Sequence, residues 1–226
     1  MLFLDFDGTL LDVERRHYAA YVDAIESPEI RGKAIPQKEY WGLRKENKPW
    51  QEICKRSRLF PPRYKAYQES FEARLEIPEL LSLDTVRTGV VTALQKLYTK
   101  TPIALVTQRR DGEMLVSQIA TLGLTKYFVT VLHGAPKKTR RPDPDARWKH
   151  KAQLVRTRYR LLPVESVYIG DTETDVKAAR SLGFEVWLLE GGTRTKPKQI
   201  EADPDRIEAD LAGALKYLLP GGRWQR

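Results

Sequence analysis

From residue 90 onward, short apolar runs alternate with segments of helical period, and this restricts the chain to a parallel sheet covered by helices. Ile103–Val106, Phe128–Leu132, Val167–Ile169 and Val186–Leu189 read as buried strands. Residues 90–100, 111–122, 145–162, 174–182 and 205–219 read as helices, with Asp111 as an N-cap and Gly123 and Gly183 as stops. Leu2–Phe6 is one more apolar run, ending in carboxylates, and reads as the first strand. The predicted class is α/β: a Rossmann-like parallel sheet core with helices on both faces plus an inserted α-helical domain.

The insertion is segment 14–84. Tyr18, Tyr21, Val22 and Ile25 share a helical face over 14–26. Further helices are predicted near 37–46, 50–58 and 61–76, broken at Pro49 and Pro61-Pro62, with Pro78–Asp84 as a return linker. A chain of 226 residues carries a prior between one and two domains. The expected division is 1–13 with 85–226 as the sheet core and 14–84 as the helical domain.

Composition excludes several classes. At 41% hydrophobic and 31% charged residues the chain has no signature of disorder. A single cysteine, Cys54, excludes an internal disulfide framework and a zinc site of several thiolates, and reads as a small buried apolar residue. His17, His133 and His150 form no metal spacing. No run of 18 apolar residues exists, and MLFLDFDGTLL has no basic flank and carries Asp5 and Asp7 within it, so neither a membrane span nor a signal peptide is expected. A cytoplasmic protein is the default.

The net charge of +9 is local. Residues 137–160 hold ten basic residues (Lys137, Lys138, Arg140, Arg141, Arg147, Lys149, Lys151, Arg156, Arg158, Arg160) against Asp143 and Asp145, which makes this segment +8. Such a patch attracts anions, from small phosphates to nucleic acid, or is a solvated helix face with a loop.

Ligands of open parallel sheets bind outside the carboxyl ends of the strands. Asp5, Asp7, Gly8 and Thr9 stand after the first strand, Thr107 and Gln108 after the Ile103 strand, and Gly170, Asp171 and Asp175 after the Val167 strand. An extended backbone points Asp5 and Asp7 to one side, and Gly8 permits a sharp exit. Gathering Asp5, Asp7 and Asp171 in one crevice is costly without a cation, and Mg2+, which takes oxygen ligands, resolves the repulsion.

These residues carry a family resemblance. Asp5-Phe-Asp7-Gly-Thr9 resembles the first motif, DxDGT, of the haloacid dehalogenase superfamily of phosphohydrolases. Ile103-Ala-Leu-Val-Thr107 is similar to the second motif, and Gly170-Asp171-Thr-Glu-Thr-Asp175 to the fourth, GDxxxD. The resemblance covers the chain outside 14–84, and that segment stands where the family inserts a helical cap. It implies a Mg2+-dependent phosphatase of the phosphoglycolate phosphatase kind acting on a small phosphorylated substrate. Asp5 would form an aspartyl-phosphate, and Asp7 would protonate the leaving oxygen and then activate water. Thr107 would donate to a phosphoryl oxygen. Asp5, Asp171 and the Asp7 carbonyl would hold Mg2+, with Thr9 and Asp175 behind them. A carboxylate at Asp7 favours an ester with an alcohol leaving group over a halide.

The third motif is a lone lysine. On helix 145–162, Lys151 shares a face with Trp148, Ala152, Val155 and Tyr159, whereas Lys149 lies with Gln153, Arg156 and Arg160. Lys151 is therefore expected to point inward, with Lys149 as the alternative.

Substrate contacts are expected from Gly8, Gln108 and the basic loop between Trp41 and Trp50 that carries Arg44, Lys45 and Lys48, with Arg109 and Arg110 beside Thr107 as the next candidates. Two other readings stay open: a phosphomutase of the β-phosphoglucomutase type, and a basic nucleic-acid- or nucleotide-binding protein on the same scaffold.

Overall fold

The computed structural model describes residues 1–137, 143 and 145–219. In chain order its elements are β1 (Leu2–Leu4), β2 (Leu11–Asp12), α1 (Glu14–Ile25), α2 (Gln37–Lys45), α3 (Trp50–Arg56), α4 (Tyr64–Arg74), α5 (Pro78–Leu81) and β3 (Thr85–Val86). There follow α6 (Val90–Leu97), β4 (Ile103–Thr107), α7 (Gly112–Thr121), β5 (Thr130–His133), α8 (Ala146–Arg158), β6 (Val167–Gly170), α9 (Glu173–Leu182), β7 (Glu185–Leu189), α10 (Lys196–Glu201), β8 (Arg206–Glu208) and α11 (Leu211–Leu218). The chain divides into two units, Met1–Leu11 with Val86–Arg226, and Asp12–Thr85.

The first unit is built on a six-stranded sheet in the order β5-β4-β1-β6-β7-β8, parallel throughout. Its central strand β1 is only three residues long, and Leu2, Phe3 and Leu4 are all buried. A strand buried on both faces needs a continuous apolar run rather than an alternating one, which is why this end of the chain has no polar residue before Asp5. On one face Phe3 packs with Ala104, Ala152, Val155, Tyr168, Ala179 and Val186. Its ring stacks on Phe184 at 5.0 Å and meets Tyr159 edge-on at 5.7 Å. Each such contact contributes about 0.5–1.5 kcal/mol beyond burial. The register Leu4↔Leu105 and Leu4↔Ile169 brings the ends of β1, β4 and β6 side by side. The chain runs from β1 to β4 and β5 on one side and returns to β6, β7 and β8 on the other, so the strand order reverses beside β1, where ligand crevices open.

The second unit is helical. Tyr21 stacks on Tyr40 at 4.3 Å, and Trp50 meets Phe71 at 4.9 Å. The Tyr21 hydroxyl lies 2.6 Å from Ser57 Oγ and accepts from the Ile35 amide at 2.8 Å, which ties the stretch between α1 and α2 to the helix core. Cys54 is buried among these helices.

Several elements differ from the sequence expectation. Residues 78–84 are not a plain linker: Pro78–Leu81 form a helical turn with proline in its first position, where its missing N–H costs nothing. Residues 205–219 are not one helix. Arg206–Glu208 form the edge strand, and Asp210 caps α11 by accepting from the Gly213 amide at 2.7 Å. The predicted strand Phe128–Leu132 begins two residues later, at Thr130. Helix α10 was not expected. The helical reading of 61–76 resolves into a 3-10 turn over Pro61–Arg63 and α4.

Candidate active site

Asp5 follows β1 directly, and its amide donates to the Ile169 carbonyl at 2.9 Å, so the strand pairing itself delivers this carboxylate to the sheet edge. The side chain is 9% exposed. Its Oδ1 accepts from Lys151 Nζ at 2.6 Å. The same ammonium donates to Asp175 Oδ1 at 2.5 Å. Lys151 reaches this position because α8 turns Lys151, Ala152 and Val155 toward the sheet. Lys149 is half-exposed and pairs with Asp143 Oδ2 at 2.8 Å. The structure thus puts Lys151, and not Lys149, with the acidic cluster.

Asp171 follows β6 directly and is fully buried. Its Oδ2 accepts from both the amide and the hydroxyl of Thr193 at 2.6 Å, while its Oδ1 has only a long contact, 3.5 Å, from Thr9 Oγ1. Asp175 is equally buried but more heavily engaged. Its Oδ2 accepts from the amides of Asp171 and Thr172 and from the Thr172 hydroxyl, closing a capping box at the start of α9. Its geometry is that of a group which fixes the Asp171 turn.

Donor oxygens of Asp5, Asp171 and Asp175 lie within 4.8 Å of one another. The cluster holds three carboxylates and one lysine, which pairs with Asp5 and Asp175, and the electrostatics show the deficit. Burial, followed by the neighbouring Asp175, raises Asp171 to about 6. Burial also raises Asp5 well above the usual carboxylate range, with the Lys151 charge opposing and the Asp175 and Asp171 charges adding to it. Burial opposes ionisation of Asp175 as well, yet the charge and hydrogen bond of Lys151 hold it below its ordinary value. Lys151 is itself held well above its ordinary value, because the Asp175 and Asp5 charges outweigh its burial. An all-oxygen cluster two positive charges short of balance suits a hard divalent cation such as Mg2+.

The turn after β1 is shaped for close approach. Gly8 has φ +83, and a Cβ there would lie 2.4 Å from Asp171 Oδ2. Gly192 packs against the same carboxylate, where a Cβ would come within 2.5 Å. Arg87 ties the two loops together: its Nη1 donates to the Gly8 carbonyl at 2.6 Å and its Nη2 to the Glu190 carbonyl. Thr107, the last residue of β4, is 1% exposed at the neighbouring strand end. Asp7 is not part of the three-carboxylate cluster. Both of its oxygens accept from the buried Arg109 guanidinium, at 2.6 and 2.7 Å. Gln108 is engaged with Arg147, donating to its carbonyl at 2.8 Å and accepting from its Nε at 2.9 Å.

Arg44, Lys45 and Lys48 are in the helical unit. Residues 41–50 are not a loop. Arg44 and Lys45 form the last turn of α2, and only residues 46–49 connect to α3. The Arg44 guanidinium lies 4.5 Å from the centre of the Trp50 ring. Lys48 is exposed. Of the 137–160 basic segment, Lys138, Arg140 and Arg141 lie outside the described residues. Lys151 is buried, Lys149 is paired with Asp143, and Arg156 donates to the Ser181 carbonyl at 2.5 Å. Arg109, Thr193 and Arg87 were the residues that sequence reasoning passed over or ranked low. The Gly191-Gly192 pair at the end of an apolar strand was the available sign of Thr193.

Residues 2–189 match the family of haloacid dehalogenase-like hydrolases, and the chain belongs to that family. It is 30% identical over 141 residues to a phosphoglycolate phosphatase of Rhodobacter capsulatus, a match covering 62% of this chain and 60% of that protein. It is 24% identical to a phosphoglycolate phosphatase of Synechococcus elongatus over 96% of this chain and 98% of that one. Against some curated relatives the match spans only about half their length. A haloacid dehalogenase-like family protein of Streptococcus pneumoniae shares the fold, with a TM-score of 0.75 at 18% identity over 96% of this chain and 97% of that one. No helix among the described residues is long and apolar enough to cross a membrane.

Proposed function

We propose that this chain is a Mg2+-dependent phosphatase that hydrolyses a small phosphate monoester through an aspartyl-phosphate on Asp5. The observation that carries the reading is the Asp5 carboxylate at the end of the central strand, with Lys151 Nζ on one oxygen and no described hydrogen-bond partner on the other.

Asp5 Oδ2 forms the new bond to phosphorus as the bond to the leaving oxygen breaks, and Asp7 supplies the proton that the leaving alkoxide needs. Asp7 then takes a proton from water, the water oxygen attacks phosphorus, and the bond to Asp5 breaks to release inorganic phosphate. Lys151 holds Asp5 in place and offsets charge on the transferred group. Thr107 offers a hydroxyl donor to a phosphoryl oxygen from the adjacent strand end. Asp5, Asp171 and the Asp7 carbonyl are the groups assigned to Mg2+, which when bound supplies positive charge for the phosphoryl oxygens. Thr9, Thr193 and Asp175 keep Asp171 and its turn in position.

Residues 14–84 act in this reading as the cap, with Arg44, Lys45 and Lys48 reading the rest of the substrate. The names of the Rhodobacter and Synechococcus relatives make phosphoglycolate the first ester to test. The experiment is a panel of phosphorylated metabolites, with phosphoglycolate included, assayed in Mg2+ and in excess chelator. Phosphate release that stops in chelator and returns with Mg2+ is the expected result. Full activity in chelator, or no release from any ester, overturns it.

A further inference from the structure

We propose that Arg109 is a positioning residue for Asp7: its guanidinium clamps both carboxylate oxygens and so fixes the plane in which Asp7 meets the leaving oxygen and the attacking water. The inference rests on the reading of Asp7 as the proton-transfer group.

The clamp is a built feature. Arg109 comes two residues after Thr107, on the segment that leaves β4, and its side chain is 4% exposed, against 27% for Asp7. A cation removed from water this completely needs a carboxylate partner, and a nearly buried arginine at a sheet edge is not a residue that drifts on the surface. Nε meets Oδ2 at 2.6 Å and Nη2 meets Oδ1 at 2.7 Å, so two parallel N–H donors engage one carboxylate side-on. Such a pair fixes orientation as well as distance, which one ammonium cannot do. The β1–β4 register that aligns Leu4 with Leu105 brings the two residues together across adjacent strands.

Asp7 has reason to need such a clamp. Asp5 is a direct continuation of β1, but Asp7 lies where the chain has already left the strand, just before Gly8 at φ +83. The strand pairing that aims Asp5 therefore does not aim Asp7. Proton transfer demands a heavy-atom separation of about 2.6–3.2 Å, and misplacement of a reacting group by about 1 Å costs on the order of 100-fold in rate. An ionised carboxylate offers about four acceptor sites, of which the fork uses two. The full fork holds the ionised form that takes the proton from water, and protonated Asp7, which gives its proton to the leaving oxygen, keeps the contact through the oxygen that carries no proton. Arg109 itself touches neither substrate nor the reacting atoms in this account.

The test is a double-mutant cycle on the full chain, comparing wild type, Arg109→Ala, Asp7→Asn and the double variant, with phosphoglycolate and p-nitrophenyl phosphate as probes. Arg109→Ala is expected to lower kcat by about 10–100-fold with KM changed less than about three-fold. In the Asp7→Asn background the same change should cost less than about three-fold, because the group it positions is gone. Arg109→Lys keeps the charge and loses the fork, and should stay at least about five-fold below wild type. Arg109→Lys and Arg109→Gln replace the alanine variant in the cycle if that one does not fold. Equal losses in both backgrounds overturn the clamp, as does a defect confined to KM or full activity of Arg109→Lys. The underlying reading fails separately: if Asp7→Asn alone turns over both probes at the wild-type rate, Asp7 does not transfer the proton, whatever Arg109 does.

Discussion

The two units both bury ion pairs, and they differ in what the burial leaves over. In the helical unit Arg16 and Asp84 form a pair at 2.9 Å with side chains 2% and 0% exposed, and Arg16 Nη1 also donates to the Leu75 carbonyl at 2.9 Å. The guanidinium meets the carboxylate through Nε and backbone near the far end of the insertion through Nη1. In the sheet unit one ammonium meets two carboxylates, and a third, Asp171, lies beside them. The first arrangement is balanced and serves the fold. The second is short of positive charge, and that imbalance suits a divalent cation. The comparison sets a general expectation: breaking the paired arrangement should cost stability, whereas removing one of the crowded carboxylates should cost activity and leave stability intact or improve it.

The largest effect is expected at Asp5. Asp5→Asn should lower phosphate release by at least about 1000-fold, since an amide is a poor nucleophile, and that corresponds to about 4 kcal/mol of barrier. It should not lower Tm, because it removes one of the crowded charges. Phosphate release near the wild-type rate would sink the covalent reading, and a large Tm loss would break the contrast between the units. Next comes the lysine pair on α8. Lys151→Ala should lose about 100-fold or more in kcat/KM, while Lys149→Ala, whose partner Asp143 is on the surface, should stay within about two-fold. A larger loss at Lys149 would reverse the assignment.

On the balanced side, Asp84→Ala leaves a buried guanidinium without its carboxylate, and the expected cost is about 3–5 kcal/mol of stability, read as a fall in denaturant midpoint. Turnover per folded molecule, measured well below Tm, should stay close to that of the wild type. A variant that keeps its midpoint would show that the pair contributes little to the fold.

The crowded cluster also predicts a pH dependence. Asp171 is raised to about 6 from an ordinary 3.8. The native metal-free protein therefore binds a proton near pH 5 that the unfolded chain largely lacks. This group stabilises the fold at pH 5 and loses that contribution as pH rises through about 6. Mg2+ competes with the same proton, so its stabilising effect should grow with pH. At 100 times its dissociation constant the ion adds about 2.7 kcal/mol, or a Tm gain of roughly 5 °C for a chain of this size. Thermal melts with and without Mg2+ at pH 5 and pH 7.5 check this, with the larger gain expected at pH 7.5. A gain independent of pH would move the metal away from Asp171.

How much of this was legible follows from the same contrast. The strands and their order of motifs were readable because buried parallel strands impose continuous apolar runs, as in Leu2–Leu4 and Val167–Gly170. The inward lysine was readable because α8 has a periodicity of its own: Lys151 falls with Ala152 and Val155. What escaped were the partners set by tertiary approach. Nothing local to Gln108-Arg109-Arg110 says which arginine turns inward, and nothing local to Thr193 says that Asp171 lies above it. The edge strand β8 was missed for the opposite reason. Its three residues, Arg206, Ile207 and Glu208, are half-buried, too short and too polar to announce a strand before the sheet is there to pair with.

The smallest effects belong to the basic residues at the end of α2, and the structure sharpens what to expect of each. Arg44 is not simply a solvated charge: its guanidinium lies 4.5 Å from the Trp50 ring, so it helps hold α2 against the start of α3. A partly buried cation–π contact contributes about 0.5–2 kcal/mol, and Arg44→Ala should therefore lower the stability of the helical unit as well as any effect on substrate. Lys48 is exposed on the short connection between the helices and has no described ion pair, so Lys48→Ala isolates substrate reading from folding. Exposed charges contribute about 0.2–1 kcal/mol to an interaction, which bounds the expected loss in kcat/KM at about five-fold. That loss should appear with phosphoglycolate, which offers a second anionic group, and shrink with p-nitrophenyl phosphate, which offers none. It should also weaken at high salt, because exposed charges are screened over about 8 Å at physiological ionic strength. Lys45→Ala belongs to the same comparison, with an effect no larger than that of Lys48→Ala. Equal kinetics for wild type, Lys45→Ala and Lys48→Ala on both substrates would remove these two lysines from substrate recognition.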